Sequence, residues 1–311
     1  MTFEDALTAA GLLPRGAVAA DGRWHRCPTV DHPRKRNGAY KLALDARIGW
    51  WRNWATDAEP STWRPDQDSP APKVDWVAIE ERRRQEREAQ ARAVAHARKL
   101  YADASTYSPH AYLSRKGLST AGCSALRLWS GEMWVDDELI RDQWLAVPMF
   151  VRGQMVNVQR IDSSGRVKRP VKGAPARAAY FELARPQAAV TVLAEGLATG
   201  LAIFQSVRHV RVIVTFNADG LVLVAQALQP TGNVVIAADN DWGTEARGKG
   251  NPGIQKAEKA AELIGCGVAW PEGIEGTDWC DAYREWGERA PSRIQREILS
   301  RARLVRGGVM P

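Results

Sequence analysis

The sequence has few of the patterns that build metal ribbons, disulfide frameworks or membrane spans. Its four cysteines (Cys27, Cys123, Cys266 and Cys280) are far apart, and no two have a CxxC spacing. This argues against a zinc site and against a disulfide framework, and favours ordinary reduced thiols. Runs of about 18 apolar residues are absent, so no membrane-spanning helix is predicted. The segment MTFEDALTAAGLLPRG carries acids where a signal peptide needs bases, so we expect a cytoplasmic protein.

An excess of negative charge is also absent, because the net charge is +7. A basic chain favours a polyanionic partner. The sequence has 13 tryptophans, and several lie beside arginine near the N-terminus. Such pairs suit single-stranded nucleic acid, although the rings could equally fill a small core. The candidate nucleic-acid contacts there are Arg23, Trp24, Arg34, Lys35, Arg36, Trp51 and Arg52.

The pattern of apolar residues changes along the chain and predicts several segments. We expect a small β-rich module over 1–66, a linker and charged helix over 67–106, mixed α/β structure over 107–187, alternating strands and helices over 188–290, and a C-terminal helix and tail over 291–311. Apolar β-branched strands alternating with helices predict a parallel sheet covered on both faces. One helix is clearly delimited, by Asn251 as N-cap, Pro252 in the first turn and Gly265 at the end.

Acidic residues follow two of the predicted parallel strands. VTVLAEG ends in Glu195, and VVIAADND ends in Asp239 and Asp241. Ligands bind where the carboxyl ends of such strands meet, so the three carboxylates are expected at one edge. They would repel one another without a cation, and oxygen ligands favour Mg²⁺ or Mn²⁺. In this interpretation Asn240 only separates the two aspartates. The alternative is a polar turn that caps a buried strand.

Three other interpretations of this region are weaker. An aspartyl-nucleophile phosphatase uses DxDx(T/V), but the fifth position here is Gly243 and Glu195 would have no role. The stretch GTEARGKG (243–250) matches a P-loop except that Gly250 replaces the Ser or Thr that binds Mg²⁺, so Lys249 more plausibly contacts a phosphate by itself. A dinucleotide site would need a G-x-G-x-x-G turn, which EGLATG lacks.

A strand ending in EG, followed by a strand ending in DxD, resembles the Toprim domain. Other stretches resemble the primase branch of that family, especially the primases of phages and conjugative plasmids. HAYLSRKGL (110–118) and VNVQRIDSSGRVKR (156–169) are similar to segments of the primase core. LAEGLATGLAI, VTFNADGLVLVAQAL, NPGIQKAEKAA and GTDWCDAY are similar to successive Toprim segments of those primases. The resemblance covers roughly residues 20 to 290.

The resemblance implies a fold and a set of site residues. The fold is α/β, with a Rossmann-like parallel Toprim sheet preceded by a mixed α/β primase-core subdomain and a small β-rich module. The metal-binding acids of the family correspond to Glu195, Asp239 and Asp241, and these three are also the candidate catalytic residues. Asp281 or Asp278 adds a further carboxylate. The basic residues expected to contact nucleotide or template are Arg115, Lys116, Arg160, Lys168, Arg169 and Lys249.

The implied activity is synthesis of short RNA primers on single-stranded DNA from ribonucleoside triphosphates, with a replicative helicase on a separate chain. A Toprim nuclease and a non-catalytic single-stranded DNA-binding protein are the alternatives. Primases of this type usually begin with a zinc ribbon. Here WHRCPTVDH offers His25, Cys27 and His32, but WWRNWATD replaces the second ligand pair. Structural zinc needs four ligands, so we expect a degenerate ribbon without zinc that contacts the template.

Overall fold

A computed structural model describes residues 1–57, 59–65, 76–106, 109–119, 123–246, 248 and 250–306. The chain divides into two compact units, Met1–Arg87 and Glu88–Pro311, which are considered separately below. In the described part of the chain, no helix is long and apolar enough to cross a membrane.

The N-terminal unit is a small antiparallel sheet with one short helix. Its elements are α1 (Phe3–Ala9), β1 (His25–Cys27), β2 (Gly38–Leu42), β3 (Gly49–Asn53) and β4 (Ser61–Trp63), and the strands lie in the order β1-β2-β3-β4. A capping box starts α1, because Thr2 accepts from the amide of Asp5 and Asp5 accepts from the amide of Thr2. The helix packs Phe3 and Leu7 on the sheet, so this module has its own hydrophobic core.

The second unit begins within a long helix that leads to a second antiparallel sheet. The elements are α2 (Trp76–Asp103), β5 (Ser105–Thr106), α3 (Ala111–Arg115), β6 (Arg127–Val135), β7 (Glu138–Val151), β8 (Gln154–Ile161) and β9 (Lys168–Pro170). The strands lie in the order β5-β6-β7-β8-β9. Side chains alternate across it: Ala146 and Val158 pack with Leu100 of α2, whereas Leu145 and Ile161 join the largest core.

The remaining elements form a mostly parallel sheet with helices on both faces. They are β10 (Phe181–Ala184), β11 (Val190–Ala194), α4 (Leu197–Ser206), β12 (Val210–Val214), α5 (Ala218–Leu228), β13 (Gly232–Ala237), α6 (Trp242–Glu245), α7 (Pro252–Ile264), β14 (Gly267–Ala269), α8 (Trp279–Glu285), α9 (Ala290–Arg301) and β15 (Arg303–Val305). A 3-10 turn, Gly287–Arg289, lies between α8 and α9.

The sheet order is β10-β12-β11-β13-β14. β11 to β14 run parallel, while the edge strand β10 is antiparallel to β12 and β15 is antiparallel to β13. Helices α4, α8 and α9 contribute to the core on one face, and α5 and α7 to the core on the other. All five residues of β11 are buried, as expected for a strand covered on both faces. The predicted α/β fold is confirmed.

Candidate active site

Two neighbouring parallel strands deliver the predicted acids to one edge of the sheet. β11 pairs with β13 so that Ala194 lies opposite Ala237. Glu195 comes one residue after Ala194, and Asp239 two residues after Ala237. The order of the strands therefore brings the acids together at the carboxyl edge, where parallel sheets bind ligands.

Asp239 is the most unusual of these carboxylates. Its Oδ1 atom is buried and has no hydrogen-bond partner among the described residues. Burial raises the pKa of Asp239 well above its usual range, and the charges of Asp278, Glu195, Asp241 and Asp281 raise it further. A buried acid surrounded by four others is unfavourable in its charged form unless a cation compensates.

Glu195 is mostly buried, and burial is the main cause that raises the pKa of its carboxyl group. The charge of Asp241 acts in the same direction. Two groups oppose this shift and lower the pKa: the backbone amide of Ala218, at the start of α5, and the ammonium group of Lys168. Glu195 is therefore held between a helix N-terminus, a cation and the other acids.

Asp241 is fixed by the start of α7. Its Oδ2 accepts a hydrogen bond of 3.0 Å from the amide of Gly253, and its own amide donates to Asn251 Oδ1 at 3.0 Å. Asn251 also caps α7 by accepting from Ile254, as the sequence predicted. A methyl group on Gly253 would lie 2.3 Å from the carbonyl oxygen of Asp239, so only glycine permits this close approach.

Asn240 does more than separate the two aspartates. Its amide donates to the carbonyl of Thr277 at 2.7 Å, and its Nδ2 donates to the carbonyl of Pro271 at 3.1 Å. Its Oδ1 accepts from Asn251 at 2.9 Å. Asn240 thus ties the loop after β13 to two other segments, and the interpretation of this residue as a spacer is corrected.

A second acidic pair lies at the start of α8. Asp278 caps this helix by accepting from the amide of Asp281 at 2.8 Å, and Asp281 Oδ2 accepts from the amide of Thr277 at 3.2 Å. Burial raises the pKa of Asp278, and the nearby Lys116 opposes the shift. Lys116 Nζ lies 4.0 Å from Asp278 Oδ2 and 3.8 Å from Asp281 Oδ1. Lys116, which was predicted to contact phosphate, therefore lies beside two acidic side chains.

Three of the predicted basic residues are strand residues of the second sheet and are divided between its two faces. Lys168 pairs with Ile161, whose side chain is in the largest core, and its Nζ lies 5.5 Å from the centre of the Tyr112 ring. Because cross-strand partners share a face, Lys168 is on the side of the acids. Arg169 pairs with Arg160 and is therefore on the opposite face.

The contacts of the other basic residues are structural in kind. Arg160 lies 5.9 Å from the Trp129 ring centre and donates to the Pro170 carbonyl at 3.3 Å, and burial lowers its pKa. Arg169 lies 3.6 Å from Asp136 Oδ2, and Arg115 donates to the carbonyl of Ser163. The remaining member of the set, Lys249, is outside the described residues. The structure therefore brings Lys116 and Lys168 to the acids, but not Arg160 or Arg169.

Comparison with known families shows which domain the third sheet belongs to. Residues 190–289 match the Toprim domain. The matched range contains Glu195, Asp239, Asp241, Asp278 and Asp281, so every acid of the cluster belongs to the Toprim domain. A solved structure titled "Structure of the DnaG primase catalytic domain bound to ssDNA" is similar over 71% of this chain and 83% of that chain, with 15% identity and a TM-score of 0.43.

The donor set of the Toprim domain fits a hard divalent cation. All of the candidate ligands are carboxylates, which Mg²⁺ and Mn²⁺ prefer. The buried, unpartnered oxygen of Asp239 is a polar atom for which the described residues offer no partner. Across the described ranges, no three His, Cys, Asp or Glu side chains already converge as metal ligands do. Asp241, Asp278 and Asp281 are instead engaged by amides and by Lys116.

The N-terminal unit separates its aromatic residues into core and surface. Trp51 is half-buried with its ring centre 6.3 Å from that of Phe3, so it is largely a core residue. Trp54, which sequence reasoning missed, is 54% exposed, and the guanidinium groups of Arg52 and Arg26 lie 4.1 and 5.6 Å from its ring centre. Trp51 is in β3, whereas Trp54 lies in the turn after this strand, and the sequence WWRNWATD could have indicated that the third tryptophan is at the strand end.

The other predicted contacts of this unit are on its surface. Trp24 is 48% exposed, and Arg23 forms an ion pair with Glu86. Arg34, Lys35 and Arg36 are exposed. His25, Cys27 and His32 do not form a metal-binding group in the described part of the chain, where Cys27 is in the core and the His25 ring bonds to Asp21 at 3.0 Å. The absence of zinc remains a prediction.

Proposed function

We propose that the protein is a DNA primase that synthesises short RNA primers on single-stranded DNA by metal-dependent nucleotidyl transfer. The observation that carries this proposal is the buried Asp239 carboxylate, which lies at the carboxyl edge of a Toprim sheet among four other acids. Replication of a phage or a conjugative plasmid is the proposed setting, and a helicase on a separate chain is the proposed partner.

Primer extension requires a 3′-hydroxyl to attack the α-phosphate of a nucleoside triphosphate, with pyrophosphate leaving. Mg²⁺ or Mn²⁺ bound by Glu195, Asp239 and Asp241, with Asp281 nearby, would stabilise the attacking and leaving oxygens. Glu195 would hold or orient an ion near the attacking hydroxyl, or accept its proton. Asn251 and Gly253 hold Asp241 in position through two hydrogen bonds, from the Asp241 amide to Asn251 Oδ1 and from the Gly253 amide to Asp241 Oδ2.

Cations from outside the Toprim domain support a primase in preference to a free-standing Toprim nuclease. Lys116 belongs to the segment HAYLSRKGL and Lys168 to VNVQRIDSSGRVKR, the two stretches that resemble a primase core. Both approach the acids: Lys116 contacts Asp278 and Asp281, and Lys168 lowers the pKa of Glu195. Ammonium groups here neutralise the triphosphate or template phosphates.

Exposed aromatic residues are proposed to contact the bases. In the N-terminal unit, Trp54 between Arg26 and Arg52 offers a ring and two cations to a single strand. In the Toprim domain, Trp242 follows Asp241 directly, is 48% exposed, and is anchored by a 3.0 Å hydrogen bond from its indole nitrogen to the carbonyl of Gly276.

The test is primer synthesis by the purified protein on single-stranded template, with labelled ribonucleotides and Mg²⁺ or Mn²⁺. Asp239→Asn and Asp241→Asn should abolish product, whereas Asp137→Asn, which removes the same charge from an exposed turn, should retain it. Product formation by both active-site variants at the parental rate would contradict the assignment. A parallel reaction without nucleotides tests the nuclease alternative, which cleavage of the template would support. Binding without turnover would support the non-catalytic alternative.

A further inference from the structure

A groove separate from the acid cluster lies beside the N-terminal halves of α5 and α7. It has a volume of about 540 Å³ and is bounded on one side by residues 176–178 of the segment that leads into β10. Its polar lining consists of Arg177, Asn217, Asp219, Lys256 and Lys259. Lys256 and Lys259 are three residues apart on α7 and therefore share a face of that helix.

The lining is positively charged, because three cations face a single carboxylate. Asp219 already pairs with Lys256 at 2.6 Å, so its charge is compensated. Arg177 and Lys259 are exposed and have no ion-pair partner among the described residues. Two cations thus remain available to an anion, and the formal charge of the groove lining is +2.

The groove opens near the acids at the same edge of the Toprim sheet. Asp219, which lines it, contributes to the raised pKa of Glu195. Ala218, one residue earlier, donates its amide to Glu195. The first turn of α5 therefore contacts the groove through Asp219 and the acid cluster through Ala218. The groove and the acid cluster are therefore adjacent at the start of α5.

We propose that this groove binds backbone phosphates of a single nucleic-acid strand beside the acid cluster, an inference that rests on the proposed nucleic-acid function. Phosphate is the chemistry that Arg177 and Lys259 recognise. The described lining contains no aromatic ring for a base, and its apolar part is Val222 and Leu223 beside small residues. An open, cation-lined groove without a base pocket suits a strand better than a free nucleotide.

The experiment compares the parent with Arg177→Ala/Lys259→Ala and with the control Arg208→Ala/Arg296→Ala. Both variants remove two exposed cations, but the control residues are outside the groove. Binding of a fluorescent oligothymidylate is followed by anisotropy over a range of salt concentrations, in EDTA and without nucleotides. Circular dichroism melts verify that each variant is folded.

Loss of two phosphate contacts should reduce the slope of log K against log salt by about 1.4, at about 0.7 for each contact to a single strand. Affinity should then fall roughly 25-fold at about 0.1 M salt and converge with the parent near about 1 M. The control should keep the parental slope. An unchanged slope and affinity in the groove variant would overturn the proposal.

A second arm distinguishes the source of the phosphate. If the groove variant binds the strand like the parent but shows a raised KM for ribonucleoside triphosphates, the groove holds nucleotide phosphates and the strand assignment is wrong. Failure of the proposed function is distinguishable, because it would appear as absence of primer synthesis by the parent protein. The slope of log K against log salt is measured in EDTA and does not depend on turnover. It therefore tests the groove even if the parent protein makes no primers.

Discussion

Asp239 provides the sharpest test of the acid cluster, because the same residue should destabilise the metal-free fold and be required for metal binding. Its pKa is raised in the folded state by burial and by four neighbouring acids. The folded protein consequently holds a proton on Asp239 at pH values where the unfolded chain, with a pKa of about 3.9, has lost it. Metal-free stability should therefore fall as the pH rises from the unfolded value through the raised folded value.

The expected size follows from the surroundings of the side chain. Asp239→Asn keeps the shape, removes the charge, and gives the neighbouring carboxylates an amide donor. Leaving a buried polar atom unsatisfied costs about 1–3 kcal/mol, and more if it is charged. We therefore expect the variant to be more stable than the parent by at least about 1–3 kcal/mol in EDTA at pH values where the parent is ionised. For a domain of 150–250 residues, this corresponds to a Tm increase of about 2–12 °C.

Thermal unfolding in EDTA from about pH 4 to about pH 8 is the appropriate assay, since this range begins near the unfolded pKa of aspartate. The extra stability of Asp239→Asn should vanish toward about pH 4, where residue 239 is neutral in both proteins. The control Asp137→Asn should show no such dependence on pH. Added Mg²⁺ should stabilise the parent by about 2.7 kcal/mol at 100 times Kd, and Asp239→Asn much less. A variant that is less stable than the parent at every pH would refute this reasoning.

Three further predictions concern the supports of the acids. Gly253→Ala should destabilise the protein by about 1–3 kcal/mol in a thermal melt and abolish primer synthesis, because its methyl group would displace the Asp239 carbonyl. Asn251→Ala should cost about 1 kcal/mol of stability through loss of the α7 cap, with a larger relative loss of primer synthesis than of stability. Lys116→Met should raise the pKa of Asp278 further and so move the acidic limb of the pH–rate profile upward; an unmoved limb would exclude this coupling.

Local sequence patterns were sufficient to predict the elements that carry the site. β-branched runs such as VTVLA and VVIAA predicted the buried strands. Asn251, Pro252 and Gly265 predicted the ends of α7. The convergence of Glu195 with Asp239 required one further condition, that β11 and β13 are neighbours. Sequence reasoning had to assume this adjacency, because strand order depends on long-range packing, and the structure supplies it.

The basic residues were harder to predict because their faces depend on register. Arg160, Lys168 and Arg169 were grouped as one basic set from their order along the chain. Lys168 and Arg169 are adjacent in a strand, so their side chains must point to opposite faces, and only Lys168 approaches Glu195. Alternation alone could have shown that the pair is divided, but not which member faces the acids. That choice is fixed by the pairing of Lys168 with Ile161.

The interpretation of these acids as helix or strand caps applies to only some of them. Asp278 caps α8, and Asp241 accepts from the first turn of α7, so both have a local structural role without any metal. Asp239 has no such role, because its buried Oδ1 lacks a partner in the described part of the chain. Glu195 has an amide and a lysine, yet its pKa remains raised. Capping thus explains how the outer acids are positioned, whereas Asp239 either holds a proton, as its raised pKa favours, or serves the proposed cation.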